Sequence, residues 1–153
     1  MSDTTRPELP GKLYTVNVYK QGITDSEIHA LYARMQRLRV KYPHVEYFIV
    51  VSTTDADTAK KKRIPSAGRP KVVVEGKKEP KHVHVGVMGT DGQSAYKFLE
   101  DLKERSNRSF QARQVTYSAT SDNDHAWNFI AYSYRQADWY RTSNGFDFFG
   151  NLK

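Results

Sequence analysis

The sequence predicts an α+β fold: an antiparallel sheet built in the order β-α-β-β-α-β, helices packed on it, and one more helix added toward the C-terminus. Three observations predict it. Four runs carry strand character, Leu13–Tyr19, Val45–Ser52, Lys81–Met88 and Phe110–Ala119, rich in β-branched and aromatic residues. Between them, Ile28, Leu31, Met35 and Leu38, and later Tyr96, Leu99 and Leu102, recur at helical spacing. After the last strand, Trp127, Ile130, Ala131 and Tyr134 form another apolar stripe at i, i+3, i+4 and i+7.

Taken in order, Met1–Gly11 carries Pro7 and Pro10 and reads as a loose arm, leaving 12–153 as one domain. Leu13–Tyr19 alternates, with Leu13, Thr15, Asn17 and Tyr19 on one face and Tyr14, Val16 and Val18 on the other. Thr15 and Asn17 in mid-strand suit a sheet face that binds something polar, or an ordinary solvent face. Thr24-Asp25-Ser26-Glu27 is a capping box, so a helix is expected over Asp25–Lys41, stopped by Pro43, with Arg34, Arg37 and Arg39 on a solvated face. Val45–Ser52 is the second strand. The segment 53–80 breaks the pattern: Lys60-Lys61-Lys62-Arg63, then Pro65, Gly68, Arg69, Pro70 and Lys71, with Val72–Glu75 as a small strand. It reads as a long basic loop or hairpin inserted between two strands, a kind of segment that is usually functional or disordered.

Past the strand Lys81–Met88, Asp91 is placed to cap a helix over Gln93–Arg105, Ser106–Ser109 reads as a turn, and Phe110–Ala119 as a strand with Gln111, Arg113, Val115 and Tyr117 on one face. Ser121, Asp122 and Asp124 open the third helix, whose N-terminal dipole they complement. It is expected to run from Asn123 to Ala137 or beyond. Phe146, Phe148 and Phe149 near the C-terminus are expected to pack on the body. The first six elements are those of a ferredoxin-like split unit, in which Lys81–Met88 is central and lies beside the strand carrying Thr15 and Asn17, leaving one sheet face as an open platform.

Composition narrows the partners. The 153 residues carry a formal charge of +7 and a pI near 9.5, which favours a polyanion, nucleic acid first and an anionic membrane second. There is no cysteine, so disulfides, thiolate metal sites and cysteine nucleophiles are excluded. Apolar runs are too short to span a membrane and the first residues lack a signal-peptide core. A soluble intracellular protein is expected, in the cytoplasm of a microbial host or in a host nucleus if viral.

Two constellations carry chemistry. In Lys81-His82-Val83-His84-Val85-Gly86 the two imidazoles stand on one strand face and the valines on the other. They can converge on one divalent ion, or be incidental residues of a half-exposed strand. Gly86 beside them leaves a bare surface that a bulky ligand backbone could approach. On the third helix Tyr132 falls off the apolar stripe, with Arg135 and Gln136 three and four residues on and so on its face. Tyrosine can act as a covalent nucleophile.

Tyr14-Thr15-Val16-Asn17-Val18-Tyr19, His82-Val83-His84 and Tyr132-Ser133-Tyr134-Arg135 resemble, in order, the three motifs of rolling-circle replication initiators. The chain thus resembles the nuclease domain of an HUH endonuclease with a single catalytic tyrosine, over roughly Leu13 to Ala137. It departs from that pattern in having Arg135 where the family usually has Lys, and Thr53 and Thr54 where an acidic ligand is usual, with Asp55 and Glu46 nearby. The single-domain HUH transposases are also similar, since they carry a Gln four residues after the Tyr, as Tyr132 and Gln136 do here.

The resemblance implies sequence-specific nicking and rejoining of single-stranded DNA. His82 and His84, completed by Gln136 or Asp55, would hold Mg²⁺ or Mn²⁺. Tyr132 would form a 5′-phosphotyrosine, and Arg135 would stabilise the phosphate. Thr15 and Asn17 would position the DNA, while Lys60, Lys61, Lys62, Arg63, Arg69 and Lys71 would grip its backbone. Origin DNA and host replication proteins are the implied partners. The competing class is a non-catalytic module of the RNA-recognition type, which uses the same element order with exposed aromatics on its sheet.

Overall fold

The computed structural model describes residues 8–9, 11–18, 22–55, 57–65, 68, 71–89, 92–110, 115–120 and 122–143, of which 63–64, 71, 103–110 and 115–120 are described by their backbone. Arg69, Asp91, Gln111, Arg113, Ser121, Phe146, Phe148 and Phe149 lie outside the described residues, as do Tyr19 and most of the N-terminal arm. The fold is mixed α+β, with an antiparallel sheet of five strands flanked by helices.

The first strand, β1 (Leu13–Val18), leads into α1 (Asp25–Lys41). Thr24 Oγ1 accepts from the Glu27 N–H at 3.2 Å and the Thr24 N–H donates to Glu27 Oε1 at 3.1 Å, so the capping box satisfies two donors at the helix start. The helix buries Ile28, Leu31 and Met35. Arg39 does not lie on a purely solvated face: its guanidinium donates to the Val45 carbonyl at 3.0 Å and pairs with Glu46 at 3.0 Å.

The second strand, β2 (Val45–Thr54), outlasts its expected end, and the basic segment after it is a two-stranded hairpin, β3 (Lys60–Ile64) with β4 (Lys71–Glu75). Then comes β5 (Lys78–Gly89), the histidine strand. The following helix, α2 (Gly92–Phe110), runs past the expected turn at Ser106–Ser109 and takes in Phe110, expected to open the next strand. Neither Gly nor Pro occurs between Gln93 and Phe110 to stop it. Strand β6 accordingly starts later, at Val115–Thr120. The third helix, α3 (Asn123–Arg135), is capped by Asp122, whose Oδ1 accepts from the His125 N–H at 2.9 Å. It ends earlier than expected and gives way to a short strand, β7 (Trp139–Thr142).

The sheet order is β6-β1-β5-β2-β7, every neighbouring pair antiparallel. The histidine strand is central and lies beside β1, as expected. Val83, Val85 and Val87 face α1 and α2 in one core with Val16, Ile49, Leu31, Phe98 and Leu99. The other face is not an open platform. It is covered in part by α3, whose Ala126, Trp127 and Ile130 pack on Leu13, Phe48, Val50 and Met88. Trp127 and Ile130 are fully buried there, each stabilising the docked helix by about 1.5–3 kcal/mol. Leu9, within the segment read as an arm, joins this second core, and its N–H donates to Asn123 Oδ1 at 2.9 Å.

Candidate functional site

Strand register assembles the first half of the site. Asn17 of β1 stands opposite His84 of β5, and Thr15 opposite Gly86, so alternation delivers both pairs to the face that α3 covers. His84 Nδ1 donates to Asn17 Oδ1 at 2.6 Å, which leaves Nε2 as the lone-pair nitrogen of a neutral ring. His82 Nδ1 donates to the carbonyl of Pro80 at 2.9 Å. The two imidazoles meet edge to face with centroids 4.8 Å apart.

The second half comes from α3. Gln136, the residue that caps its C-terminus, is buried and brings its amide to 3.4 Å from His82 Nε2. Phe129, two turns earlier, lies edge-on to His84 with centroids 6.4 Å apart. Phe129, Tyr132 and Gln136 share one flank of the helix, so the two histidine contacts bracket Tyr132. Tyr132 itself is 43% exposed, with the Arg135 guanidinium 4.6 Å above its ring centre. Tyr134 occupies the opposite flank. It is half-buried, against Tyr140 of β7 at 5.7 Å, and carries the Lys61 ammonium 3.8 Å over its ring. The residue of α3 most deeply turned to the sheet near the site is Ser133, not the Ala131 and Tyr134 of the expected stripe.

Burial decides the electrostatics. His82 and His84 do not stand clear of the core as the strand pattern suggested; they are 2% and 7% exposed. Desolvation, with the charge of His82 second, pushes the His84 imidazole down to about 3, so it is neutral at any physiological pH. Nor is the surface at Gly86 bare. The ring of Phe48 fills it so closely that a β-carbon on Gly86 would lie 2.8 Å from Phe48 Cδ2 and nearer still to two other ring atoms. The glycine serves packing rather than the approach of a ligand.

The expectation of a resident Mg²⁺ or Mn²⁺ is corrected by the donor set. Among the described residues no three His, Cys, Asp or Glu side chains come together to hold a metal ion. Asp55 sits at the base of the hairpin, its N–H donating to the Lys77 carbonyl at 2.8 Å and its carboxylate accepting from the Thr58 hydroxyl at 3.3 Å. Glu46 pairs with Arg39 and accepts from Ser143 at 2.7 Å. Two imidazoles and one amide then remain, without the anionic oxygen that such hard cations require.

The expected DNA-contacting residues divide. Thr15 is buried, and Asn17 is engaged with His84. Lys60 and Lys62 are exposed on β3, with Lys62 pairing loosely with Glu75 at 3.5 Å. Lys61 points the other way, onto Tyr134. Arg63 and Lys71 belong to the hairpin backbone, and Arg69 lies outside the described residues. Sequence reasoning missed Phe129, Ser133 and the whole of β7; the run Trp139-Tyr140-Arg141-Thr142 has strand composition and was the available signal. No helix among the described residues is long and apolar enough to cross a membrane.

No family model matches the chain, and no curated protein matches it. Among solved structures it is similar to a phage SAM lyase in complex with S-methyl-5′-thioadenosine, at 9% identity and a TM-score of 0.40, over 95% of this chain and 100% of that one. It is also similar to a putative aminohydrolase from methicillin-resistant Staphylococcus aureus, at 13% identity and a TM-score of 0.33, over 79% of this chain and 34% of that one. Likenesses this distant carry no functional argument.

Proposed function

We propose that this chain nicks and rejoins single-stranded DNA through a covalent tyrosine, on a ferredoxin-like sheet of the HUH type. The observation that carries the reading is the contact of Gln136 with His82, four residues after Tyr132, which sets the tyrosine's flank of α3 above the paired histidines. The register match of Asn17 with His84 and the basic hairpin beside the site support it.

In this reading the Tyr132 oxygen attacks a phosphodiester in line with the departing 3′ oxygen. A P–O bond to tyrosine forms as the P–O3′ bond breaks. The phenolic proton leaves to a solvent base and the 3′ oxygen takes one up, giving a 5′-phosphotyrosine and a 3′-hydroxyl that can prime synthesis. Arg135, already stacked on the Tyr132 ring, offers the phosphate a fork of N–H donors. The two imidazoles, fixed by Asn17, Pro80 and Gln136, hold α3 in register with the sheet. Attack by the 3′-hydroxyl of another strand on the phosphotyrosine reverses the step and joins strands without ATP.

Origin-specific initiation of rolling-circle replication is the favoured setting, with host replication proteins as partners. The spacing of Tyr132 and Gln136 favours a single-domain transposase as the second reading, with the same chemistry. The non-catalytic module has less support, because α3 covers the face it would use. The test is labelled single-stranded DNA followed on a denaturing gel. A protein–DNA adduct that Tyr132→Phe abolishes supports the proposal, and its absence from the wild-type protein refutes it.

A further inference from the structure

A cleft lies on the other side of the sheet from the histidines. Its volume is about 330 Å³, within the range of small-ligand sites. Lys81, next to His82 on β5 but pointing to the opposite face, lines one side. Asp138 and Trp139, which follow Gln136 by two and three residues, line the other. The chain that carries Gln136 to the histidines thus carries Asp138 and Trp139 directly into this cleft.

The walls have distinct chemistry. Trp139 supplies an indole that meets the His29 and Tyr32 rings in T-shaped contacts at 5.7 and 6.0 Å, with the Arg141 guanidinium 4.6 Å from its ring centre, and Ile28 and Val51 supply an apolar floor. The Asp138 carboxylate is fixed: its Oδ2 accepts from the Thr53 N–H at 2.9 Å and the Thr53 hydroxyl at 2.8 Å, and its own N–H donates to the Val51 carbonyl at 2.9 Å. Across the mouth Lys81 pairs with Asp25 at 2.9 Å. An aromatic wall, an apolar floor and a rigid, acceptor-only carboxylate, whose Oδ2 Thr53 already occupies so that Oδ1 is the oxygen to meet a ligand, suit a planar heterocycle that offers hydrogen-bond donors along one edge. Among nucleobases, guanine presents two adjacent donors there, N1–H and the 2-amino group.

We propose that this cleft is a guanine-binding pocket, which takes one unpaired base of the single strand processed at Tyr132. Its placement in a reaction rests on the nicking reading above; its chemistry does not. A base held by Asp138 fixes the register of the strand, so that one particular phosphodiester reaches the tyrosine.

The test compares oligothymidylates carrying one central guanine or one central hypoxanthine, which lacks the 2-amino group, and in parallel guanosine and inosine monophosphates. Binding is read by tryptophan fluorescence. The chain has two tryptophans and Trp127 is fully buried, so ligand quenching reports on Trp139. Guanine is expected to bind roughly tenfold more tightly than hypoxanthine, the loss of one hydrogen bond to a charged acceptor. Asp138→Asn should erase that ratio while the thermal melt stays cooperative, and Trp139→Phe should weaken both ligands and remove the quench. Oligonucleotides that bind with no guanine preference overturn the pocket and leave the nicking reading standing. Mononucleotides that bind with the preference while no oligonucleotide binds uphold the pocket and overturn the nicking reading. A guanine preference that survives Asp138→Asn, or no quench by any ligand, overturns the pocket.

Discussion

Acid should unfold this protein through His84. The folded chain holds that imidazole neutral, its pKa pushed down to about 3 by burial and then by the charge of His82, while in the unfolded chain it returns to the ordinary value of 6.5. Below that value the unfolded state takes up a proton that the folded state refuses, so stability is full at high pH and falls as pH drops from 6.5 toward 3. Going from about pH 8 to about pH 5 should cost about 2 kcal/mol from this one group. Urea denaturation of wild type and His84→Gln at several pH values isolates it, because glutamine does not titrate. The variant starts less stable but should lose about 2 kcal/mol less over that span. Parallel curves for the two proteins would show that His84 is not held neutral by burial, and the account of the site's electrostatics would fail.

Other perturbations follow from the same geometry. Gly86→Ala should destabilise by about 1–3 kcal/mol or more in chemical denaturation, because the new β-carbon meets the Phe48 ring in a packed layer. Tyr132→Phe should change stability by less than about 0.5 kcal/mol, as an exposed side chain losing one oxygen, yet yield no DNA adduct; Tyr134→Phe should retain adduct formation. Lys60→Gln with Lys62→Gln should flatten the dependence of log affinity on log salt for single-stranded DNA by about 1.4. Lys61→Gln should differ from both by loosening the hairpin from Tyr134, measured as faster proteolysis within 57–75.

Most of the fold was legible where one period or one cap decided it. The boundaries of α1 follow from the Thr24–Glu27 box and from Pro43. The adjacency of Asn17 and His84 follows from element order and strand alternation. What could not be read was the state of the second sheet face. Alternation says that His82 and His84 point away from the valines, but it is silent on whether water or a helix meets them there. Only the docking of Trp127 and Ile130 on Phe48 and Met88 makes that face a core. The expected metal site failed on tertiary contacts too: Asp55 and Glu46 lie in sequence near Thr53 and Thr54, where an acidic ligand is expected, yet they are engaged by a turn and by Arg39. Four-residue β7 was not legible because only Gln136, Ala137 and Asp138 separate Trp139–Thr142 from the end of α3 at Arg135.

The central claim is that Tyr132, on the α3 flank bracketed by Phe129 and Gln136, is the nucleophile. Labelled single-stranded DNA, incubated with the protein, digested to peptides and mapped by mass spectrometry, tests it most directly. The account predicts a nucleotide on the Tyr132 oxygen and none on Tyr134 or Tyr140. A nucleotide on either of those residues, or an unmodified Tyr132 in adduct-positive samples, would contradict it.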